Sequence, residues 1–331
     1  MTFSEDQIIN GDAYDLIRHI PDRAVNLVIT SPPYYQQRDY GGGIGTESSV
    51  EEYVRRLTDI FAECVRVVHD TGSVVFNVGD KYHGGSLLLV PYRFALAALA
   101  TASVRLVNVV TWVKQNPTPR QFQRRLVSST EPFFHFAKSG DYYYDSDAFL
   151  SDPKPGPSPR RRAKVGERYF QMIERSDLTD AQKSRARIAL QEAVQDVYAG
   201  KIADFRMKID GLHSHAFGGQ EGGRKTQLER NGFTIIRILG GRIRRDVIET
   251  PVESVKGSRH PAIYPVRVVA GFLRLLTREG DLVLDPFVGS GSTAVACKLT
   301  GRRYLGFELN PAYCAAARER IAATERDATL F

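Results

Sequence analysis

Cysteines are few and long apolar runs are missing, and each scarcity removes a class of protein. Only three cysteines occur in 331 residues. Cys64, Cys297 and Cys314 fall in apolar helical patterns without metal-ligand spacing, so they are expected to be reduced core thiols, with no disulfide framework and no metal site. No stretch approaches the length of a membrane span, and Met1 to Asp6 lack the basic and apolar regions of a signal peptide. A cytoplasmic protein that makes no membrane contact is expected. Internal repeats are also missing. What is present is a 42% hydrophobic composition, enough to bury a full core in one large domain or in one domain with an elaborated insert.

Charge is distributed unevenly. The formal net charge is +7, from 45 Lys and Arg against 38 Asp and Glu. Residues 151–260 hold 22 of the basic and 14 of the acidic groups, which leaves 23 against 24 for the rest of the chain. The whole excess therefore lies in one segment, which points to a polyanionic partner bound there, because Lys and Arg facing phosphates release condensed counterions. The segment opens at 151–162, where prolines rule out regular structure and arginines accumulate, so a boundary is expected at 150/151. Within it, Thr179-Asp180 is a helix start for a run to Tyr198 with Lys183, Arg185 and Arg187 on an exposed basic side. Residues 211–232 read as a loop. His213 and His215 in it lack a third ligand at metal spacing and are expected to be surface or polyanion contacts.

On either side of the segment, strands and helices alternate. Short β-branched runs at 6–10, 25–30, 73–78, 104–113, 281–284 and 303–307 read as strands. Helical spacing marks 13–20, 49–69, 87–100, 266–276, 293–299 and 311–323, the second opened by a Ser49-x-x-Glu52 capping box and the last by Pro311 at its first turn. Residues 131–136 and 142–144 suggest an antiparallel hairpin at the sheet edge. Alternation of this kind predicts an α/β fold, a mainly parallel sheet with helices on both faces.

Two stretches carry the chemistry. The strand at 25–30 is stopped by Pro32-Pro33, which leaves Ser31 at its carboxyl end. Two prolines have no N–H and fixed φ, so their carbonyls stay free as acceptors, and Tyr34 adds a flat π-face beside them. Together they form a cradle for a planar group bearing an NH2. The glycine-rich 35–45 stretch that follows could act as a lid. Asp281 to Thr293 is a strand, a glycine-containing turn and a helix start, the arrangement that binds a nucleotide-like ligand. It lacks the three-glycine dinucleotide fingerprint, since no third glycine follows Gly289 and Gly291 at the required spacing. Glu308 ends the next strand, at the spacing of a carboxylate that binds ribose hydroxyls, and Asp12 sits at a strand-to-helix turn.

With these motifs in this order the chain resembles the β-class DNA amino-methyltransferases, which methylate cytosine N4 or adenine N6 with S-adenosylmethionine. Ser31-Pro32-Pro33-Tyr34 matches the family's catalytic motif and Asp285-Pro286-Phe287-Val288-Gly289-Ser290-Gly291-Ser292 its cofactor motif. The resemblance covers 6–150 and about 240–324. It implies a Rossmann-like S-adenosylmethionine-dependent sheet in circularly permuted order, with residues 1–150 as the catalytic half, 151–258 as an inserted target-recognition region and 259–331 as the cofactor half. It implies that Ser31, Pro32, Pro33 and Tyr34 act on the base. Asp285, Pro286, Phe287, Gly289, Ser290, Gly291 and Thr293 would line the cofactor, with Glu308 and Asn310 at the ribose, Asp12 at the adenine amine, and His260, Pro261 and Arg267 flanking. The partner implied is double-stranded DNA through 151–260, hence nucleoid association, with a homodimer and a cognate restriction endonuclease as further candidates.

The reaction expected from the resemblance is methylation of a flipped-out cytosine at N4 in a specific DNA site, with adenine N6 as the alternative. Cytosine C5 chemistry would need a cysteine after a proline, and the three cysteines follow Glu63, Ala296 and Tyr313. A non-catalytic DNA-binding module on the same fold is the reading from a different class; intact Ser31, Tyr34, Asp285 and Glu308 weigh against it.

Overall fold

The computed structural model describes residues 4–37, 42–117, 122–146, 148–149, 166–199, 201–202, 204–212, 224–238, 245–253 and 264–325. They cluster into two compact units, 1–151 with 244–331, and 152–243.

The first unit is built on an eight-stranded sheet. In chain order its elements are β1 (Gln7–Asn10), α1 (Ala13–Leu16) running into a 3-10 turn (Ile17–His19), β2 (Val25–Thr30), α2 (Val50–Val67) and β3 (Val68–Asn77). A two-strand ribbon follows, β4 (Tyr82–His83) with β5 (Ser86–Leu87), then α3 (Val90–Thr101), β6 (Arg105–Lys114) and β7 (Thr130–Ala137). In the second unit lie α4 (Glu167–Glu174), α5 (Asp180–Tyr198), β8 (Asp204–Ile209), α6 (Arg224–Asn231) and β9 (Phe233–Ile238). The chain then returns to the first unit with β10 (Val247–Thr250), α7 (Val266–Leu276), β11 (Leu282–Asp285), α8 (Ser292–Thr300), β12 (Arg303–Glu308) and α9 (Pro311–Ala323).

The sheet order is β1-β12-β11-β2-β3-β7-β6-β10. Every pairing is parallel except those of β7, which runs antiparallel to both neighbours. Period-2 alternation divides the strands between two cores. Val28, Val74, Phe134 and Phe136 face a layer made by α1, α2 and α3, while Leu27, Ile29, Val75 and Phe133 face α7, α8 and α9. Cys64 is buried in the first core and Cys297 and Cys314 in the second, all unpaired thiols. Because β1, β12, β11, β2 and β3 are mutually parallel, their carboxyl ends share one edge of the sheet, the place where ligands bind in open α/β sheets. Asn10, Glu308, Asp285, Thr30 and Asn77 are the residues found there.

Three expectations are corrected. The 131–136 strand does not pair with 142–144: β7 is inserted between β3 and β6 inside the sheet, and Tyr143 instead donates its N–H to the Thr71 carbonyl. Strand β3 begins at Val68, directly after α2, with a register shift against β2 between Val25 and Leu27. Gly72 allows this, since a Cβ there would lie 2.4 Å from the Asn26 carbonyl oxygen. Val247–Thr250, which the sequence suggests belongs to the recognition segment, is the sheet's edge strand, paired with β6.

The second unit has its own small core, in which Ile173, Leu190, Met207 and Ile209 are buried, formed by α4, α5 and the antiparallel β8–β9 ribbon. The Thr179–Gln182 capping box starts α5 where the sequence indicates. Part of the expected 211–232 loop is the helix α6; His213 and His215 lie outside the described residues.

Candidate active site

The cavity at the strands' carboxyl edge has a volume of about 310 Å³. One wall is the turn after β2, with Ser31, Pro32, Pro33 and Tyr34. A second is the turn after β11, with Pro286, Phe287, Gly289 and Ser290. A third combines Gly11 and Asp12 after β1 with Phe307, Glu308 and Leu309 at the end of β12. The two motifs, some 250 positions apart in sequence, meet because β11 and β2 are adjacent.

The β2 turn is held from within. The Ser31 hydroxyl lies 3.2 Å from both the Tyr34 hydroxyl and Asn77 Oδ1. The Tyr34 hydroxyl lies 2.7 Å from Asn77 Oδ1 and 3.0 Å from Glu131 Oε2. Asn77 Nδ2 donates to the Pro132 carbonyl, and Lys114 forms an ion pair with Glu131. The sequence suggests an open Tyr34 ring. In the structure the ring is laid on Gly79, where a Cβ would come within 2.3 Å of Cδ2 and Cε2, so the glycine is required for the close approach. The Pro33 carbonyl accepts from the Tyr53 hydroxyl at 2.9 Å and is spent on packing.

Asp285 is fully buried and does not line the cavity. Its Oδ1 accepts from the Thr30 hydroxyl at 2.6 Å and the Phe287 N–H at 3.0 Å, and its Oδ2 from the Thr293 hydroxyl at 2.5 Å, with the Tyr264 hydroxyl 3.2 Å from the same oxygen. A carboxylate offers about four acceptor positions, and here the protein surrounds it with four donors. Burial pushes the Asp285 carboxyl up from its usual range, while the bonds from Thr293, Thr30, the Phe287 N–H and Tyr264 pull it back. Burial, with the Asp285 charge beside it, pushes the Tyr264 phenol well up. Asp285 is thus a lock that joins the end of β2, the start of α8 and the approach to α7. Thr293 belongs to the lock as well. Expected from the resemblance to line the cofactor, both are placed one layer behind the cavity wall.

Glu308 does face the cavity. Its Oε2 accepts from the Gly289 N–H at 3.0 Å and its Oε1 from the Asn310 N–H at 2.8 Å. With about four acceptor positions, the carboxylate keeps capacity for a ligand hydroxyl. Burial raises the Glu308 carboxyl, and those amides oppose the shift. Asp12 caps α1, its Oδ1 accepting from the Tyr14 N–H at 2.8 Å. Gly291 is at φ +84°, where a Cβ would press on Ala317 at 3.2 Å, so it serves helix packing. Asn310 caps α9. Arg267 is exposed on α7, outside the lining. His260 and Pro261 lie outside the described residues.

The glycine-rich stretch reaches the cavity with Gly42, Gly43 and Ile44. The buried Glu47 fastens it, accepting from the Gly45 N–H at 2.8 Å and from Arg56 at 2.9 Å. Tyr264, Asn77, Glu131 and Lys114 are site residues that the motifs do not announce. A lone polar residue inside an apolar strand, as Asn77 is in Val74-Val75-Phe76-Asn77-Val78, is the signal that could find the second.

The N6/N4 methyltransferase family, described as DNA methylase, matches residues 25–319. The chain belongs to that family. Among curated relatives, the Type II methyltransferase M.Cfr9I of Citrobacter freundii is 26% identical over 345 residues, covering 95% of this chain and 87% of its own. M.SmaI of Serratia marcescens is 26% identical over 346 residues, with 95% and 90% covered. Among solved structures, the PvuII DNA methyltransferase (cytosine-N4-specific) superposes with a TM-score of 0.62 at 17% identity, over 100% of this chain and 89% of that one. The SAM complex of M1.HpyAVI gives 0.53 at 17% identity, over 95% and 98%. Those two likenesses are of fold. Family membership makes the chain a DNA methyltransferase directed at exocyclic amines, with S-adenosylmethionine as its cofactor.

The cavity suits that cofactor. Phe287, Val288, Phe307 and Leu309 give apolar walls, Glu308 has acceptor positions for hydroxyls, and Gly289 and Ser290 keep the β11 turn small.

Proposed function

We propose that this DNA methylase methylates N4 of a flipped-out cytosine within a specific duplex site. The observation that supports it best is the orientation of Ser31. Asn77 Oδ1 and Glu131 Oε2 are acceptors with no hydrogen to give, and the Ser31 and Tyr34 hydroxyls are the donors beside them. Whichever way the two hydrogens are shared, the Ser31 hydrogen points inward to Tyr34 or Asn77. Lone pairs of Ser31 Oγ are left for the cavity.

An exocyclic amine is a poor nucleophile while its lone pair is delocalised into the ring. Accepting one of its N–H bonds at Ser31, and the other at the Pro32 carbonyl, holds the nitrogen in line and draws it out of conjugation. When bound, S-adenosylmethionine supplies an electrophilic methyl group on a sulfonium. Glu308 would hold its ribose hydroxyls and Asp12 its adenine amine, while Pro286, Phe287, Gly289 and Ser290 would form the wall beside them. The target must leave the duplex to reach Ser31, and the Tyr34 face turned from Gly79 is the surface for it to stack on. The cytosine preference is supported by Ser31 being a neutral hydroxyl. A carboxylate would set a full negative charge against the lone pair on cytosine N3, whereas the Ser31 oxygen carries no charge. The cytosine-N4 specificity of the PvuII enzyme, on the same fold, favours the same choice. Residues 151–260 would carry DNA recognition through their charge.

The test is chemical. Substrate DNA methylated by the protein is digested to nucleosides and the product identified by mass and retention. N4-methyl-2′-deoxycytidine is expected, and N6-methyl-2′-deoxyadenosine as the sole product would overturn the base assignment.

A further inference from the structure

Glu131 is a charged group one hydrogen bond behind the cavity, and the family motifs give it no part. It sits near the start of β7, opposite Trp112 of β6, with its side chain 15% exposed. Lys114, two residues along β6, neutralises one oxygen; the other meets the Tyr34 hydroxyl at 3.0 Å. From Ser31 Oγ to Tyr34 is 3.2 Å. A continuous line of exchangeable hydrogens therefore runs from the cavity to a carboxylate.

We propose that Glu131 is the positioning residue that polarises this line and the final acceptor of the proton displaced by methylation. It acts through Tyr34 and Ser31 and touches neither base nor cofactor. The proposal rests on Ser31 being the acceptor for the target amine, as read above. Once methylated, the nitrogen is cationic and strongly acidic. Its N–H bond breaks as a new Ser31 Oγ–H bond forms. The original Ser31 hydrogen passes to the Tyr34 oxygen, and the Tyr34 hydrogen passes to Glu131 Oε2. The methylated amine ends neutral, the two hydroxyls are regenerated, and the carboxylate becomes a carboxylic acid. Water at the partly exposed carboxyl removes that proton before the next turnover. Before transfer, the same negative charge keeps Tyr34 donating outward from Ser31, so Ser31 presents lone pairs to the amine. Lys114 supports the arrangement by holding Glu131 in place through their ion pair.

Glu131→Gln has nearly the same shape and can still accept one bond, but it cannot take up a proton. Tyr34→Phe keeps the ring on Gly79 and the Lys114–Glu131 pair, and removes only the middle of the line. Each is compared with wild type and with the double variant by single-turnover methyl transfer and by steady-state KM for DNA and cofactor. Each single change is expected to lower the transfer rate about 10²-fold, the scale of positioned proton transfer, with both KM values unchanged. The double variant should be no slower than the slower single one, because both break one line. A wild-type rate in both single variants, or losses that multiply in the double, would overturn the relay. Ser31→Ala, run alongside, separates the two readings: if it alone loses activity, the relay falls and the acceptor role stands, whereas a wild-type rate there removes the acceptor role itself.

Discussion

In the first unit, polar groups as far as 255 positions apart meet inside the protein; in the second, the ion pairs among the described residues lie at the surface. Thr30 and Asp285, 255 positions apart, are bonded at 2.6 Å in a buried site. In the second unit Arg187 grips Glu174, 13 positions away, with two bonds of 2.8 Å, and Lys183 donates to the Glu174 carbonyl. Two cations expected on an open basic side of α5 are therefore held by α4, and Arg185 is the exposed one. Charge follows the same division. Of the 22 basic and 14 acidic residues in 151–260, the described positions hold 13 and 12, so nearly all of the excess falls at positions outside them, such as 160–162 and 242–244. The site is thus held by buried hydrogen bonds between distant groups, while the excess positive charge falls almost entirely at positions outside the described residues.

The buried wiring makes the largest prediction. Asp285→Ala strands the Thr30, Thr293 and Tyr264 hydroxyls inside the protein, and it should cost roughly 4 kcal/mol of stability, read as a lowered midpoint in urea. Asp285→Asn, which keeps acceptors for two of them, should lose less. If Asp285→Ala melted like wild type and lost only cofactor affinity, the lock would be the wrong account and direct ligation the right one.

The excess positive charge comes next in size. Neutralising Arg160, Arg161, Arg162, Arg242 and Arg244 together should weaken duplex binding on the order of 10²-fold in moderate salt and flatten the log–log salt slope by about 4. Neutralising Lys183, Arg185, Arg187, Arg206 and Lys208 in the compact core should do much less. Equal losses in fluorescence-anisotropy titrations would erase the distinction.

A smaller effect comes from His135, which bonds Ser73 at 2.9 Å between β7 and β3. Burial lowers its pKa to about 4 from 6.5. Between those values the unfolded chain binds a proton that the folded one does not, so stability is full above pH 6.5 and is lost as pH falls toward 4. Acidification from pH 7.5 to 5 should cost about 2 kcal/mol through this group. Denaturation curves of His135→Phe, compared with wild type across that range, should show a shallower fall; parallel curves would remove the assignment.

Legibility follows the same division. Local signals are complete in the sequence for α5, with its capping box, and for α9, with Asn310 and Pro311 at its start. Ser31 is legible because two prolines can only end a strand. The place of β7 is not, since its apolar alternation states which faces are buried and nothing about its neighbours. The β8–β9 ribbon is hidden because 23 residues separate its strands. Asn77, Glu131 and Lys114 escape because their meaning comes from β3, β7 and β6 lying side by side. Asp285 is found by its motif, yet its direction is not: only the positions of Thr30, Thr293 and Tyr264 show that the carboxylate points inward.

The central claim is that the turn after β2 performs the transfer while Glu308 and the turn after β11 hold the cofactor. The most direct test pairs calorimetric titration with S-adenosylmethionine and single-turnover methyl transfer on Ser31→Ala and Glu308→Ala. Ser31→Ala should bind the cofactor as wild type does and transfer the methyl at least 10²-fold more slowly; Glu308→Ala should show the loss in binding. Equal weakening of cofactor binding in both, or a wild-type transfer rate in Ser31→Ala, would contradict the account.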